Sequence, residues 1–88
     1  MATSNVTVTT AWVKVADDTD DPLLITSAHP AVFEVALVAT DTAPTVTGHR
    51  IEEMSKGQGL TRSVLGAGFV FMRIADSRFT TSTVVVTK

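Results

Sequence analysis

Four aspartates lie within five residues of one another, and their spacing is the feature of this sequence most suggestive of a metal site: Asp17, Asp18, Asp20 and Asp21. Their carboxylate oxygens are ligands that calcium prefers. The segment lacks both the mid-loop glycine and the terminal glutamate of an EF-hand loop. Aspartates also hydrogen-bond nearby backbone groups in turns, and the Pro22 that follows cannot continue a central strand. We therefore expect a solvated turn here, with calcium binding as the alternative.

The two histidines, His29 and His49, are the other residues that could bind a metal or take part in catalysis. A zinc site needs three or four ligands, yet the chain has no cysteine and its histidines are far apart. A serine, a histidine and an aspartate could still meet in space, but no nucleophile-elbow motif is present. A domain of this size also leaves little room for a pocket of about 300 Å³ or more. We expect no metal, no cofactor and no enzymatic activity.

The sequence has no motif typical of proteins that bind phosphate groups or nucleic acids. Two glycine pairs occur, in Gly57-Gln58-Gly59 and Gly66-Ala67-Gly68, but neither follows a strand and opens a helix as phosphate-binding loops do. We expect them to form turns in which glycine adopts a positive φ. The chain has 7 basic and 9 acidic residues, so the basic patch of a nucleic-acid binder is missing. We expect no nucleic-acid partner.

The elements that must position these residues are β-strands, because the β-branched residues Thr and Val dominate the sequence. A helical turn is possible at residues 52–56. Apolar alternation predicts strands at residues 6–15 with a bulge near Ala11, and at 23–26, 31–40, 46–51, 60–65, 69–74 and 79–87. Residues 31–40 are apolar on both faces, so we expect this strand to be central in its sheet or packed on one side by a neighbouring subunit. About seven short strands predict an all-β fold, a small antiparallel β-sandwich or barrel, in a single domain over residues 1–88.

The composition predicts that part of the surface is an interface. Only 18% of the 88 residues are charged, against about 25% in typical domains, and the mean hydropathy is +0.28. A chain so short and so apolar should expose apolar area, which usually marks a binding surface. No segment approaches the roughly 20 apolar residues that span a bilayer, so we expect no membrane contact. The first residues also lack the features of a signal peptide, which predicts synthesis and retention in a cytoplasm.

Five residues are candidates for that interface. Arginine is enriched at protein interfaces because its planar guanidinium forms several hydrogen bonds at once, and Arg62 and Arg73 are the candidates of this type. Arg73 shares a predicted strand face with Phe69 and Phe71, which suits the rim of an interface. Trp12 could anchor either the core or the interface, and the shortage of other large residues favours the core.

Three segments resemble small structural proteins encoded in the virion gene blocks of tailed bacteriophages. They are residues 6–12, Gly48-His49-Arg50-Ile51 and, most specifically, the glycine-punctuated residues 59–73. Proteins of that kind are short, cysteine-free, Thr/Val-rich β domains of the head or tail. The chain lacks the N-terminal arm of the trimeric lambda-type head-stabilising proteins, and the resemblance carries no catalytic motif.

The resemblance implies a non-enzymatic virion structural protein, and first of all a capsid decoration (cement) subunit. Its expected partners are the major capsid protein or other virion proteins. It is expected to form a homo-oligomer, with a trimer as the first expectation, and to be made in the host cytoplasm and located in the virion. The alternative is a tail, fibre or neck adaptor that binds another virion protein or a host-surface glycan.

Overall fold

Alternating apolar and polar side chains produce eight strands in the computed structural model, which describes residues 2–45, 50–76 and 78–88. The expected all-β sandwich is confirmed, with eight strands rather than about seven. One helical turn accompanies them. The elements are β1 (Thr3–Thr9), β2 (Val13–Ala16), β3 (Leu24–Ser27), β4 (Ala31–Val38), β5 (Arg50–Met54), β6 (Gly59–Thr61), α1 (Arg62–Leu65), β7 (Phe69–Ile74) and β8 (Thr81–Thr87).

The strands form two four-stranded sheets, and every strand pairing is antiparallel. The back sheet has the order β1-β8-β3-β6, and the front sheet has the order β2-β7-β4-β5. The strand predicted at residues 31–40 is β4, two residues shorter, and its predicted central position is confirmed because β4 lies between β7 and β5. No helix in the described part of the chain is long and apolar enough to cross a membrane.

The core consists of the inward-facing side chains of both sheets. In the back sheet Val8, Val84 and Val86 point inward, and they are fully or almost fully buried. From the front sheet Phe33 and Met72 meet them, both with no exposed surface. Full burial of a side chain of this kind contributes about 1.5–3 kcal/mol. The core residues, which share a burial above nine-tenths, are Val8, Val15, Ala16, Leu23, Ile25, Ala31, Phe33, Val35, Met54, Leu60, Leu65, Val70, Met72, Ile74, Val84 and Val86.

The predicted continuous strand over residues 6–15 is wrong, because the chain changes sheets between β1 and β2. At this corner the Thr9 side-chain oxygen accepts the Ala11 N–H and also contacts the Ala11 carbonyl, both at 3.2 Å. A threonine hydroxyl that bonds to nearby backbone competes with strand pairing and turns the chain. The strand irregularity lies between Lys14 and Ala16 instead of near Ala11.

Two further predictions fail because tertiary pairing overrides local preference. The sequence allows a helical turn at residues 52–56, but most of these residues belong to β5, where Glu52 pairs with Phe33 of β4. We predict a single strand over residues 60–65, but β6 ends at Thr61 and the chain then forms α1. The Gly66 N–H donates to the Arg62 carbonyl at 2.8 Å and closes this turn. Residues 46–49 of the predicted strand 46–51 lie outside the described residues.

The second glycine pair forms the predicted tight connection between α1 and β7. Gly66 and Gly68 have φ values of 96° and 131°, which side-chain-bearing residues rarely adopt. A Cβ on Gly68 would lie 3.0 Å from the Val38 carbonyl oxygen. In the first pair Gly57 also has a positive φ, at 83°, whereas Gly59 begins β6 without one.

Candidate functional site

The outer side of the front sheet brings four of the five predicted interface residues together. Phe69, Phe71 and Arg73 lie on the face of β7 opposite its core residues, as predicted. Trp12 precedes β2 on the same side. We call this surface the aromatic face, and its members are Trp12, Lys14, Glu34, Ala36, Phe69, Phe71 and Arg73. Strand register places Phe71 between Lys14 and Ala36, and Arg73 beside Glu34.

Two apolar residues of the aromatic face are buried although they point away from the core. Phe71 is 5% exposed and Ala36 is 1% exposed, yet neither belongs to the core cluster between the sheets. At Phe71 and Ala36 the outer side of the front sheet is therefore covered as well, whereas Trp12, Phe69 and Arg73 stay partly exposed. The outer side of β7 and β4 thus carries its own packed apolar layer.

A stack of three side chains crosses the aromatic face. The Arg73 guanidinium lies 4.5 Å from the centre of the Trp12 ring. On the same guanidinium, Nε and Nη2 donate to the Glu34 Oε1 at 2.8 and 2.7 Å. Glu34 is 7% exposed, so the ion pair is partly shielded from water. Cation–π contact with tryptophan, the ring that binds cations best, contributes about 0.5–2 kcal/mol.

The interpretation of Trp12 as a core residue is therefore wrong. Trp12 is half-buried and lies outside the core cluster. Because the chain turns at residues 10–12 and enters the front sheet, Trp12 lies two residues before the outward-facing Lys14. Period-two alternation then places the tryptophan on the outer side.

Lys14 joins two acidic residues at the edge of the aromatic face. Its Nζ lies 2.9 Å from carboxylate oxygens of both Asp17 and Asp41, and 5.9 Å from the centre of the Phe69 ring. Hydrogen bonds to Asp17 first, and to Asp41 second, raise the pKa of Lys14 well above its ordinary value. The amine stays protonated at neutral pH and neutralises part of the acidic charge of this edge.

Arg62, the fifth predicted interface residue, does not join the other four. All five guanidinium N–H groups of Arg62 donate to backbone carbonyls of its own chain. Nε and Nη2 donate to the Asp20 carbonyl, Nη2 also donates to Asp17, and Nη1 donates to Gly66 and Gly68, at 2.8–3.1 Å. Arg62 therefore fastens the aspartate turn to the connection between α1 and β7. Sequence carries no signal for this role, because the acceptors are backbone atoms up to 45 residues away.

The aspartate segment forms the predicted turn, closed by the Asp20 N–H to the Asp17 carbonyl at 3.2 Å. The Asp20 carboxylate accepts the Asp17 N–H at 2.8 Å and the Lys88 Nζ at 3.0 Å. These bonds, the backbone one first, lower the pKa of Asp20. In the described ranges, no three His, Asp or Glu side chains are grouped as metal ligands. His49 lies outside those ranges.

A groove opens at one end of the sandwich, between the β3–β4 turn and the start of β8. Its volume is about 310 Å³, which reaches the size for which we expected a domain this small to leave little room. The Ser27 hydroxyl donates to the His29 carbonyl and so fixes the turn that forms one wall. The lining residues are His29, Pro30, Phe79, Thr81, Ser82 and Thr83.

The groove combines one aromatic ring with several hydroxyl groups. Phe79 is 40% exposed and supplies the apolar surface. The Ser82 Oγ is buried and has no hydrogen-bond partner in the described structure. Within the described chain no carboxylate lines the groove beside His29, so the geometry does not assemble a Ser-His-Asp triad there.

Sequence reasoning missed three residues that shape these surfaces. Glu34 supplies the counter-charge for Arg73, and its only signal was an acidic residue within an otherwise apolar strand. Ala36 and Phe79 carried no signal. Finding the partner of Glu34 requires the register between β4 and β7, which single-sequence periodicity does not give.

No protein-family model, curated protein or solved structure is significantly similar to this chain. The resemblance to phage virion proteins therefore stays a prediction.

Proposed function

We propose that this chain is a non-enzymatic structural protein of a tailed-phage virion, a capsid decoration (cement) subunit. In this proposal the aromatic face binds the major capsid protein or another virion protein. The observation that carries the proposal is the stack of Trp12 and Arg73, which stays partly exposed on the outer side of the front sheet beside the buried Phe71 and Ala36. An outer sheet face in a monomer that only needed solubility would be polar.

The chemistry of the aromatic face supports a docking role. Tryptophan, phenylalanine and arginine are enriched at protein interfaces, and tryptophan and arginine often dominate binding energy. Arg73 is already held by Trp12 and Glu34, so binding would cost little additional side-chain entropy. Its Nη1 atom makes neither of the two bonds to Glu34 and can donate to a partner.

The remaining parts of the proposal follow from a decoration role. The chain would be made in the host cytoplasm, and it would act in the virion as a homo-oligomer. A cement subunit needs a rigid fold and contact surfaces rather than a reaction centre. We therefore propose no enzymatic activity and no cofactor.

Co-sedimentation with capsids of the source phage tests this proposal. The wild-type chain should pellet with capsids, and Arg73→Ala should reduce the bound fraction at least tenfold, as expected for a central interface arginine. Arg78→Ala is the matched control, because Arg78 is exposed and pairs with Asp76 away from the aromatic face. A wild-type chain that binds neither capsids nor any other virion component would overturn the proposal.

A second candidate function is an adaptor in the tail, fibre or neck that binds a host-surface glycan. The groove favours it, because Phe79 can stack on the apolar side of a sugar while Thr81 and Thr83 bond its hydroxyls. A glycan array probed with the wild-type chain and with Phe79→Ala tests this function. Binding that disappears in the variant would support it, and an array without hits would remove it.

A further inference from the structure

The four edge strands of the sandwich differ in how they are protected from pairing with another chain. An edge strand exposes unpaired N–H and C=O groups, and proteins usually protect it by short length, charge, proline or a bulge. Three of the four edges carry such a device. β6 has only three residues, β2 has Lys14 and an irregular register, and β5 has three charged residues among five.

β1 carries none of these devices. Its seven residues, Thr3–Thr9, include no charge and no proline. Its register with β8 is unbroken over seven residue pairs. Most of its side chains are exposed, and among the described residues only β8 pairs with it.

The hydrogen-bond pattern shows which β1 groups face outward. Ala2 and Lys88 exchange both backbone hydrogen bonds, at 2.7 and 2.9 Å. In an antiparallel pair such doubly bonded positions alternate with non-bonded ones. The N–H and C=O groups directed away from β8 therefore belong to the alternate residues Thr3, Asn5, Thr7 and Thr9.

We infer that β1 pairs antiparallel with β1 of a second copy of the chain, around a two-fold axis that passes by Val6. This register places Thr3 opposite Thr9 of the other copy and Asn5 opposite Thr7. The four outward residues of each strand then form about eight main-chain hydrogen bonds across the dimer. The back sheets of the two copies join into one eight-stranded sheet.

The same register matches side chains on both faces. In this register odd-numbered residues pair with odd-numbered ones and even-numbered residues with even-numbered ones. Side chains that point to the core therefore lie on the same side of the joined sheet in both copies. Val6 is half-buried and packs against the edge of the core, and its counterpart would cover the rest of it. On the outer side threonine meets threonine and asparagine, pairs that stabilise antiparallel strands.

A second copy fits β1 better than a different protein does. The strand is neutral, so it offers no charge by which to select a foreign partner. Its outward residues are self-complementary about Val6, as a two-fold interface requires. The dimer is independent of the proposed capsid binding and replaces the trimer as the expected oligomer.

Light scattering on a sizing column tests the inference. The wild-type chain should have twice the monomer mass, and Thr7→Lys should give a monomer because two lysines would flank the axis. The matched control is Thr83→Lys, one strand further in and opposite Thr7 in the intact sheet. A monomeric or trimeric wild-type chain, or a Thr7→Lys variant that stays dimeric, would overturn the inference.

A cysteine crosslink tests the register directly, because the chain has no cysteine of its own. Facing residues at a non-hydrogen-bonded pair have Cα atoms about 4.5 Å apart, within reach of a disulfide. Val6→Cys should therefore oxidise to a covalent dimer in glutathione buffer, whereas Val85→Cys on β8 should keep a free thiol. Equal crosslinking of both variants, or of neither, would contradict the register. Capsid co-sedimentation of the same samples reads out the proposed function separately.

Discussion

The two outer faces of this sandwich are built on sheets of the same size, yet they differ in almost every chemical property. The outer side of the back sheet, the threonine face, presents mainly hydroxyl groups together with Leu24 and Val85, and its four strands contain no charged residue. Its threonines are Thr3, Thr7, Thr9, Thr26, Thr61, Thr81, Thr83 and Thr87. The aromatic face instead holds Trp12, Phe71 and a shielded ion pair. Packing in the core requires apolar side chains on the inner sides of both sheets, whereas the residue types on the outer sides are not fixed by the core.

Two chemically different outer faces are compatible with the same alternation of core-facing and outward-facing residues along a strand. Threonine is β-branched and favours strands, and its hydroxyl hydrogen-bonds water, so the threonine face needs no charge to stay solvated. On the aromatic face, Phe71 is buried and Arg73 is held by Trp12 and Glu34 before any partner binds. A partner would therefore meet an ordered surface rather than flexible charged side chains.

The two faces should differ most in how much their side chains contribute to the free energy of unfolding. Phe71→Ala should lower the free energy of unfolding by about 3 kcal/mol, because it removes a buried ring from the outer layer. Val85→Ala on the threonine face should cost less than about 1 kcal/mol, since that site is only partly covered. Urea unfolding followed by circular dichroism measures both. Equal losses would mean that the outer layer of the aromatic face is not packed.

The next effect tests the ion pair. Glu34→Gln should lower the free energy of unfolding by roughly 1–3 kcal/mol, because Arg73 would keep its charge in a partly shielded site without a carboxylate partner. The double variant Glu34→Gln, Arg73→Met should recover part of the loss. Urea unfolding of the two variants and of Arg73→Met alone provides the double-mutant cycle. A cycle that shows no coupling would mean that the ion pair between Glu34 and Arg73 does not stabilise the protein.

Acid should weaken the protein through its aspartates and not through the threonine face, which has no titratable group. The pKa of Asp20 is lowered in the fold by the Asp17 N–H, so its stabilisation is present above the ordinary value of 3.8 and is lost as the pH falls further. Asp76 behaves likewise because Arg78 lowers its pKa. Melting temperature measured from pH 6 to pH 2 should fall most steeply below about pH 4. Asp20→Asn should flatten this fall, and an unchanged profile would argue against the effect.

The smallest effect concerns the threonine face itself. Thr83→Val keeps the β-branched shape and replaces the hydroxyl with a methyl group, so the free energy of unfolding should change by less than about 0.5 kcal/mol. Solubility should fall instead, because the substitution enlarges an apolar surface. Precipitation by ammonium sulfate compares the variant with the wild-type chain. A large loss of stability would show that this face has a structural role beyond solvation.

Periodicity predicted the strand content and the two faces of β7, because alternation with period two follows directly from strand geometry. It did not find the corner between β1 and β2, since a shift of apolar phase looks the same for a bulge and for a change of sheet. Only the tertiary structure separates the two possibilities. The separate expectation that Trp12 lies in the core rested on the shortage of other large residues, which says nothing about the face on which a residue lies.

The candidate site was predicted in its residues but not in its arrangement. Grouping Phe69, Phe71 and Arg73 needed only one strand, whereas pairing Arg73 with Glu34 needs a register across 39 residues. The bonds of Arg62 to the aspartate turn could not be predicted, because a guanidinium that binds backbone carbonyls has no complementary side chain to reveal it.

The pairing of β1 with β8 also bears on the order in which the sheets form. The four strands of the front sheet lie within residues 13–74, whereas β1 at residues 3–9 pairs with a strand that spans residues 81–87. Contacts between distant parts of a chain form slowly, so closing the back sheet should be the late step of folding.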